Sequence, residues 1–121
     1  MRHEIHIGRN SLSTDLGVEE GGEGLGPSPH DLYDAALGAC KALTVLWYAK
    51  HRDIPVQGID VSVERDASRE RAGIYRLSVV LSLTGDLSAA QREELLRVAQ
   101  KCPIHKLMTE VTTEISTTLT H

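Results

Sequence analysis

An α+β domain, with helices packed on an antiparallel sheet, is the fold class the sequence predicts, and three observations predict it. Two runs alternate apolar and polar residues in the manner of half-buried strands, Gly58 to Glu64 and Tyr75 to Leu83. Two other stretches repeat apolar residues every three or four positions behind capping-box patterns, Ser28 with Asp31 and Ser88 with Gln91. The order of elements is strands, helix, hairpin, helix, short helix, strand, which suits helices laid on an antiparallel sheet. At 121 residues the chain has the length of one ordinary domain, taken as residues 1–121.

The first fifteen residues alternate loosely around Ile5, Ile7 and Leu12 and supply a short strand or hairpin. From Gly17 to Pro29 the chain is rich in Gly and Glu and is expected as a flexible loop. It is no phosphate cradle: it lacks a leading strand and a G-x-x-x-x-G-K-[ST] pattern, and its acids repel phosphate. Ser28 then caps a helix with Pro29 at its first position. Leu32, Ala36, Ala39, Leu43 and Trp47 form its apolar stripe, widened by Ala35, Ala42, Val45 and Leu46, so this helix is expected to be substantially buried as far as His51 or Arg52. Asp66 to Gly73 is the solvated loop of the following hairpin. Leu95, Val98, Ala99 and Cys102 line one face of a second helix ending near Lys101. Pro103 suits the first position of a new short helix to Met108, and Val111, Thr113, Ile115, Thr117 and Leu119 read as a closing β-branched strand.

Composition narrows the function. The chain is 40% apolar and 25% charged with net charge −4 and a pI near 5.8, which argues against disorder and against a polybasic nucleic-acid surface. One Trp, three Tyr and no Phe leave no set of stacking platforms for single strands. No stretch is long and apolar enough to cross a membrane or to serve as a signal peptide, so a cytoplasmic location is the expectation.

Two cysteines, Cys40 and Cys102, are too few for a disulfide-stapled scaffold, so they are either buried spectators or chemistry. No C-x-x-C motif joins them, and only the fold can bring the sulfurs together; both lie on apolar helix faces expected to share a core. Placed before Pro103 at the start of a short helix, Cys102 is the better thiolate on local electrostatics. Cys102 with His105 has a zinc-like spacing, but Cys40 alone is a poor second half for a four-ligand site, and no metal is assigned. His30 beside Asp31 reads first as capping and solvation of the helix start, and no G-x-S-x-G elbow supports a serine triad.

Taken together, GPSPHDLYDAALGACKALTVLWYAK, the hairpin, LSAAQREELLRVAQ and KCPIHKLM resemble the OsmC/Ohr family of thiol peroxidases. The resemblance runs from about Gly26 to the C-terminus and takes in the segment from Gly8 through Asp15, and it implies antiparallel sheets wrapped around central helices in an intertwined homodimer. It assigns Cys40 as the peroxidatic cysteine, oxidised by a hydroperoxide to a sulfenic acid, and Cys102 as the resolving thiol. An external dithiol or thiol then reduces the Cys40–Cys102 disulfide, with no cofactor. On this point the family pattern overrides the local preference for Cys102.

Family members stabilise the attacking thiolate with an N-terminal arginine, and Arg9 is the matching residue. The pattern is broken at position 30, where hydroperoxide reductases carry a glutamate that orients the arginine and this chain has His30 followed by Asp31. His30 then shares the site as a hydrogen-bonding group, or Asp31 orients Arg9 instead. The leading reading is reduction of organic hydroperoxides, and of hydrogen peroxide less efficiently. A non-peroxidatic protein binding a small apolar or thiol-containing ligand at the dimer interface, and an interaction module with two inert cysteines, are the alternatives.

Overall fold

The computed structural model describes residues 1–120, in two units treated separately: residues 1–38 with 62–80, and residues 39–61 with the chain from Leu81 onward. In the first, β1 (His3–Ile7) and β2 (Asn10–Thr14) pair antiparallel, Ile5 opposite Leu12 and Ile7 opposite Asn10. Gly8, at φ 60°, opens the two-residue turn between them, a position that tolerates only a residue free to adopt positive φ. The Gly- and Glu-rich stretch that follows is organised around one side chain, unlike the flexible loop its composition predicts. Asp15 accepts the backbone N–H groups of Leu16, Glu23 and Leu25 at 2.7, 3.2 and 3.1 Å. A Cβ on Gly22 would stand 2.0 Å from the Leu16 carbonyl oxygen, so the loop closes only around glycine.

Helix α1 runs Pro29–His51 and starts as its sequence dictates. Ser28 Oγ accepts the Asp31 N–H at 3.1 Å and Asp31 Oδ2 accepts the Ser28 N–H at 3.0 Å. Which face it buries is the correction. Asp34, Leu37, Lys41, Val45 and Ala49 are buried, whereas Leu43 and Trp47 of the predicted stripe are 65% and 61% exposed. Both faces of α1 are apolar at helical spacing, and periodicity cannot choose between them. The buried face was obscured by two charged residues, which sit there because each has partners.

In the second unit the core gathers Val45 and Ala49 of α1, Ile54, and Leu95 and Ala99 of α2 (Ala89–Gln100). Leu81, Leu83 and Ile59 pack against it from strands β3 (Gly58–Asp66) and β4 (Arg76–Thr84), whose burial alternates residue by residue as predicted. Gln57, just before β3, donates its N–H to Thr84 at the end of β4 at 2.8 Å, start against end, as an antiparallel hairpin requires. The C-terminus of α1 closes with Asp53 at φ 54° and the Ile54 N–H donating to the Ala49 carbonyl at 2.9 Å, a Schellman closure with Asp where Gly is usual.

Ser88 and Gln91 form the second capping box, at 3.1 and 2.9 Å. After α2 the chain turns at Cys102 into α3 (Pro103–Thr109), as predicted. The closing strand is not formed. Ile115 and Leu119 are 83% and 88% exposed, and among the described residues no strand pairs with 111–120. Alternation alone does not make a strand, which needs a neighbouring ladder to bond its backbone.

Candidate active site

Helix α1 and the α2–α3 turn bring Cys40 and Cys102 together within the second unit, sixty-odd residues apart in sequence. Both thiols are free, and Cys40 lies close enough to Cys102 to help push its thiol up. Cys40 Sγ also accepts the backbone N–H of Ile104 at 3.5 Å and lies 3.9 Å from Thr44 Oγ1, one turn along its own helix.

The two sulfurs differ in access. Cys40 is half-buried, whereas Cys102 is 0% exposed. Cys40 lines a groove of about 850 Å³ together with Leu43, Leu46 and Trp47 of α1, Pro103, and the lysines Lys50 and Lys101. A small apolar molecule fits such walls, and an anionic group on it would meet the lysines.

Their electrostatics correct the local sequence argument. Burial pushes the Cys102 thiol up from its ordinary value and the contact with Cys40 pushes it further, while the His105 backbone N–H and the Lys41 charge act in the opposite direction. The sequence placed Cys102 at a helix start and weighed only the terms that favour a thiolate; full desolvation outweighs them.

The other residues expected at the site lie in the first unit. Arg9 is exposed in the turn between β1 and β2, and among the described residues it makes no ion pair. Asp31, expected to orient Arg9, closes the α1 cap and accepts Arg65 Nη1 at 2.8 Å. Arg65 also donates to Asp34 at 2.6 Å, and the Tyr75 hydroxyl donates to the same carboxylate at 2.6 Å. Burial and that carboxylate push the Tyr75 phenol up to about 12. His30 Nε2 meets Glu70 at 2.9 Å, and its ring lies edge-on to Tyr75 at 6.0 Å.

Sequence reasoning missed Arg65, Asp34 and Lys41. The first two carried a weak signal, a charge near the end of a strand and an acid on an otherwise apolar helix face. Lys41 carried a clearer one: it falls between Leu37 and Val45 at four-residue spacing, so a buried face through those residues must hold a lysine.

The fold and this paired-thiol site define a two-cysteine α+β protein. The OsmC-like protein family matches residues 21–117, and the chain belongs to that family. An osmotic stress induced and detoxification response protein from Psychrobacter arcticus 273-4 is similar in structure, at 24% identity and TM-score 0.74 over 90% of this chain and 81% of that one. The organic hydroperoxide resistance protein OsmC of Legionella pneumophila is 23% identical at TM-score 0.60 over 91% and 88% of the two chains. OhrB of Bacillus subtilis, an organic hydroperoxide resistance protein, is 21% identical at TM-score 0.59 over 91% and 90%. At these identities the likeness is one of fold. No curated protein matches the chain.

Proposed function

We propose that the protein is a cysteine-based peroxidase for organic hydroperoxides. The observation that carries this reading is the unequal access of two neighbouring thiols: Cys40 lines an apolar groove while Cys102 is fully buried. The attacking sulfur must meet a bulky substrate, and the resolving sulfur needs to meet only its partner. Two structurally similar proteins named for organic hydroperoxide resistance support the same chemistry.

The Cys40 thiolate attacks the distal peroxide oxygen; the O–O bond breaks and the alkoxide leaves with a proton as the alcohol. Cys102 then attacks the sulfenic sulfur, the S–O bond breaks, and hydroxide and a proton leave as water. An external dithiol restores both thiols. The resemblance assigns Arg9 as the guanidinium of the Cys40 thiolate; Arg65 is held by Asp31 and Asp34. His30 remains assigned to the family's glutamate position, hydrogen-bonded here to Glu70. The protein works as a homodimer in the cytoplasm, a second copy meeting the exposed Leu43 and Trp47 of α1 and walling one side of the Cys40 groove while leaving its mouth open.

Single-cysteine variants test the assignment. Cys40→Ser is expected to abolish turnover of cumene hydroperoxide, and Cys102→Ser to allow one stoichiometric oxidation without intramolecular disulfide. Wild-type turnover by Cys40→Ser would overturn it. The departure at His30 favours one other reading, a ligand-binding protein, in which groove occupants raise the Tm of Cys40→Ser and no peroxide is consumed.

A further inference from the structure

Beside the thiol pair stands a buried charge that the reaction above does not use. Lys41 is 6% exposed, and lysine is rarely buried to that degree without partners for its ammonium. Nζ donates to the Ala99 carbonyl at 2.9 Å and lies 3.1 Å from His105 Nδ1. An ammonium can only donate, so in this contact Nδ1 is the acceptor. The Ala99 carbonyl belongs to the last turn of α2, where carbonyls lack intrahelical partners and the helix end is negative.

Ala99 and His105 each lie three residues from Cys102, on opposite sides in sequence. The residue next to Cys40 therefore ties down both flanks of the buried thiol. His105 places its ring on Lys41 at 3.1 Å and its backbone N–H acts to lower the nearby Cys102 thiol, so one residue bears on Lys41 and Cys102 at once. A surface side chain could cap α2 without desolvation, and a methionine would fill the same apolar space. What neither provides is a fixed positive charge beside a fully buried sulfur.

We propose that Lys41 is a positioning residue of the thiol pair, its ammonium pinned between Ala99 and His105 to supply the charge against which Cys102 becomes a thiolate. This rests on the peroxidase reading for its purpose. Forming the disulfide needs the Cys102 thiolate to attack Cys40. Reducing it needs an external dithiol thiolate to attack Cys40, the reachable sulfur, whereupon the S–S electron pair departs on Cys102. Both steps place negative charge on Cys102, and a better-stabilised leaving thiolate departs faster. The charged or titratable groups around that sulfur are Cys40 and Lys41 on α1, Lys101 next to it in sequence, and His105 on α3.

The test is a pH titration of Cys102 by thiolate ultraviolet absorbance in the full-length Cys40→Ser protein, alone and combined with Lys41→Met, Lys41→Arg or His105→Ala. Lys41→Met is expected to move the midpoint up by about one pH unit or more, the size of a lost nearby charge. Lys41→Arg keeps the charge and is expected to restore most of the shift, and His105→Ala to raise the midpoint by less than Lys41→Met. An unmoved midpoint in a folded Lys41→Met protein with a lowered Tm would make Lys41 a helix cap only and overturn the proposal. Should Lys41→Met fail to fold, Lys41→Gln takes its place, and an unmoved midpoint in the folded Lys41→Gln protein overturns the proposal equally. No peroxide enters this titration, so a wild type that leaves hydroperoxides untouched sinks the peroxidase reading and not this one.

Discussion

Arg65 donates to Asp34 at 2.6 Å, and Asp34 is only 5% exposed. A carboxylate buried on a helix face thus has a guanidinium and the Tyr75 hydroxyl as its partners, and Arg65 has two carboxylates as its own. Such an arginine helps to hold the buried carboxylate of α1 in place. The two arginines should therefore behave oppositely. Arg9→Ala is expected to slow iodoacetamide modification of Cys40 at neutral pH and to leave Tm nearly unchanged. Arg65→Ala is expected to cost about 1–3 kcal/mol, through a buried acceptor left short of a donor, without changing that modification rate. The opposite pattern would transfer the thiolate role to Arg65.

The two faces of α1 predict a second contrast. Leu95 is 0% exposed in the core against Val45 and Ala49, so Leu95→Ala should lose about 2–5 kcal/mol in denaturant unfolding. Trp47 is 61% exposed, and Trp47→Ala should shift unfolding little while weakening self-association in sedimentation. Unchanged self-association would remove the α1 face from the proposed dimer.

Asp53 holds a left-handed conformation at the end of α1, a backbone position that disfavours any side chain. Asp53→Gly is expected to stabilise the protein by about 0.5–1 kcal/mol, read as a raised Tm. A lowered Tm would mean that the aspartate side chain contributes more than its backbone costs.

Acid should loosen the first unit. Burial opposes the charge on Asp15, but the N–H groups of Leu25, Leu16 and Glu23 hold its carboxyl below the usual range. Asp31 is lowered first by the Ser28 N–H and then by Arg65. Both carboxyls are lower folded than unfolded. Their stabilisation is complete above the unfolded value, about pH 4, and is lost as pH falls through the folded values. Asp15→Asn is expected to be less stable at neutral pH and to lose less on acidification. An acid slope as steep as that of wild type would contradict this account.

Much of the fold was legible because it is specified locally. The capping residues Ser28 and Ser88, the alternation of β3 and β4, and Pro103 at the start of α3 each act within a few residues. What was not legible depends on partners distant in sequence. The buried face of α1 is chosen by Arg65, Tyr75, Ala99 and His105 meeting Asp34 and Lys41, and no window of the helix contains them. The loop around Asp15 was likewise hidden, since three backbone N–H groups carry no sequence signature. At the site, the nearness of Cys40 and Cys102 turns on which face of α1 is buried, which periodicity misassigned, and the thiol electrostatics turn on the burial of Cys102.

The central claim is that Cys40 reduces a hydroperoxide and Cys102 captures the product. Intact-protein mass spectrometry of the reduced protein, mixed with one equivalent of cumene hydroperoxide and followed by peptide mapping, tests it most directly. Rapid loss of two hydrogens with a Cys40–Cys102 cross-link is the predicted result. Two thiols that stay reduced while the hydroperoxide persists would contradict the claim.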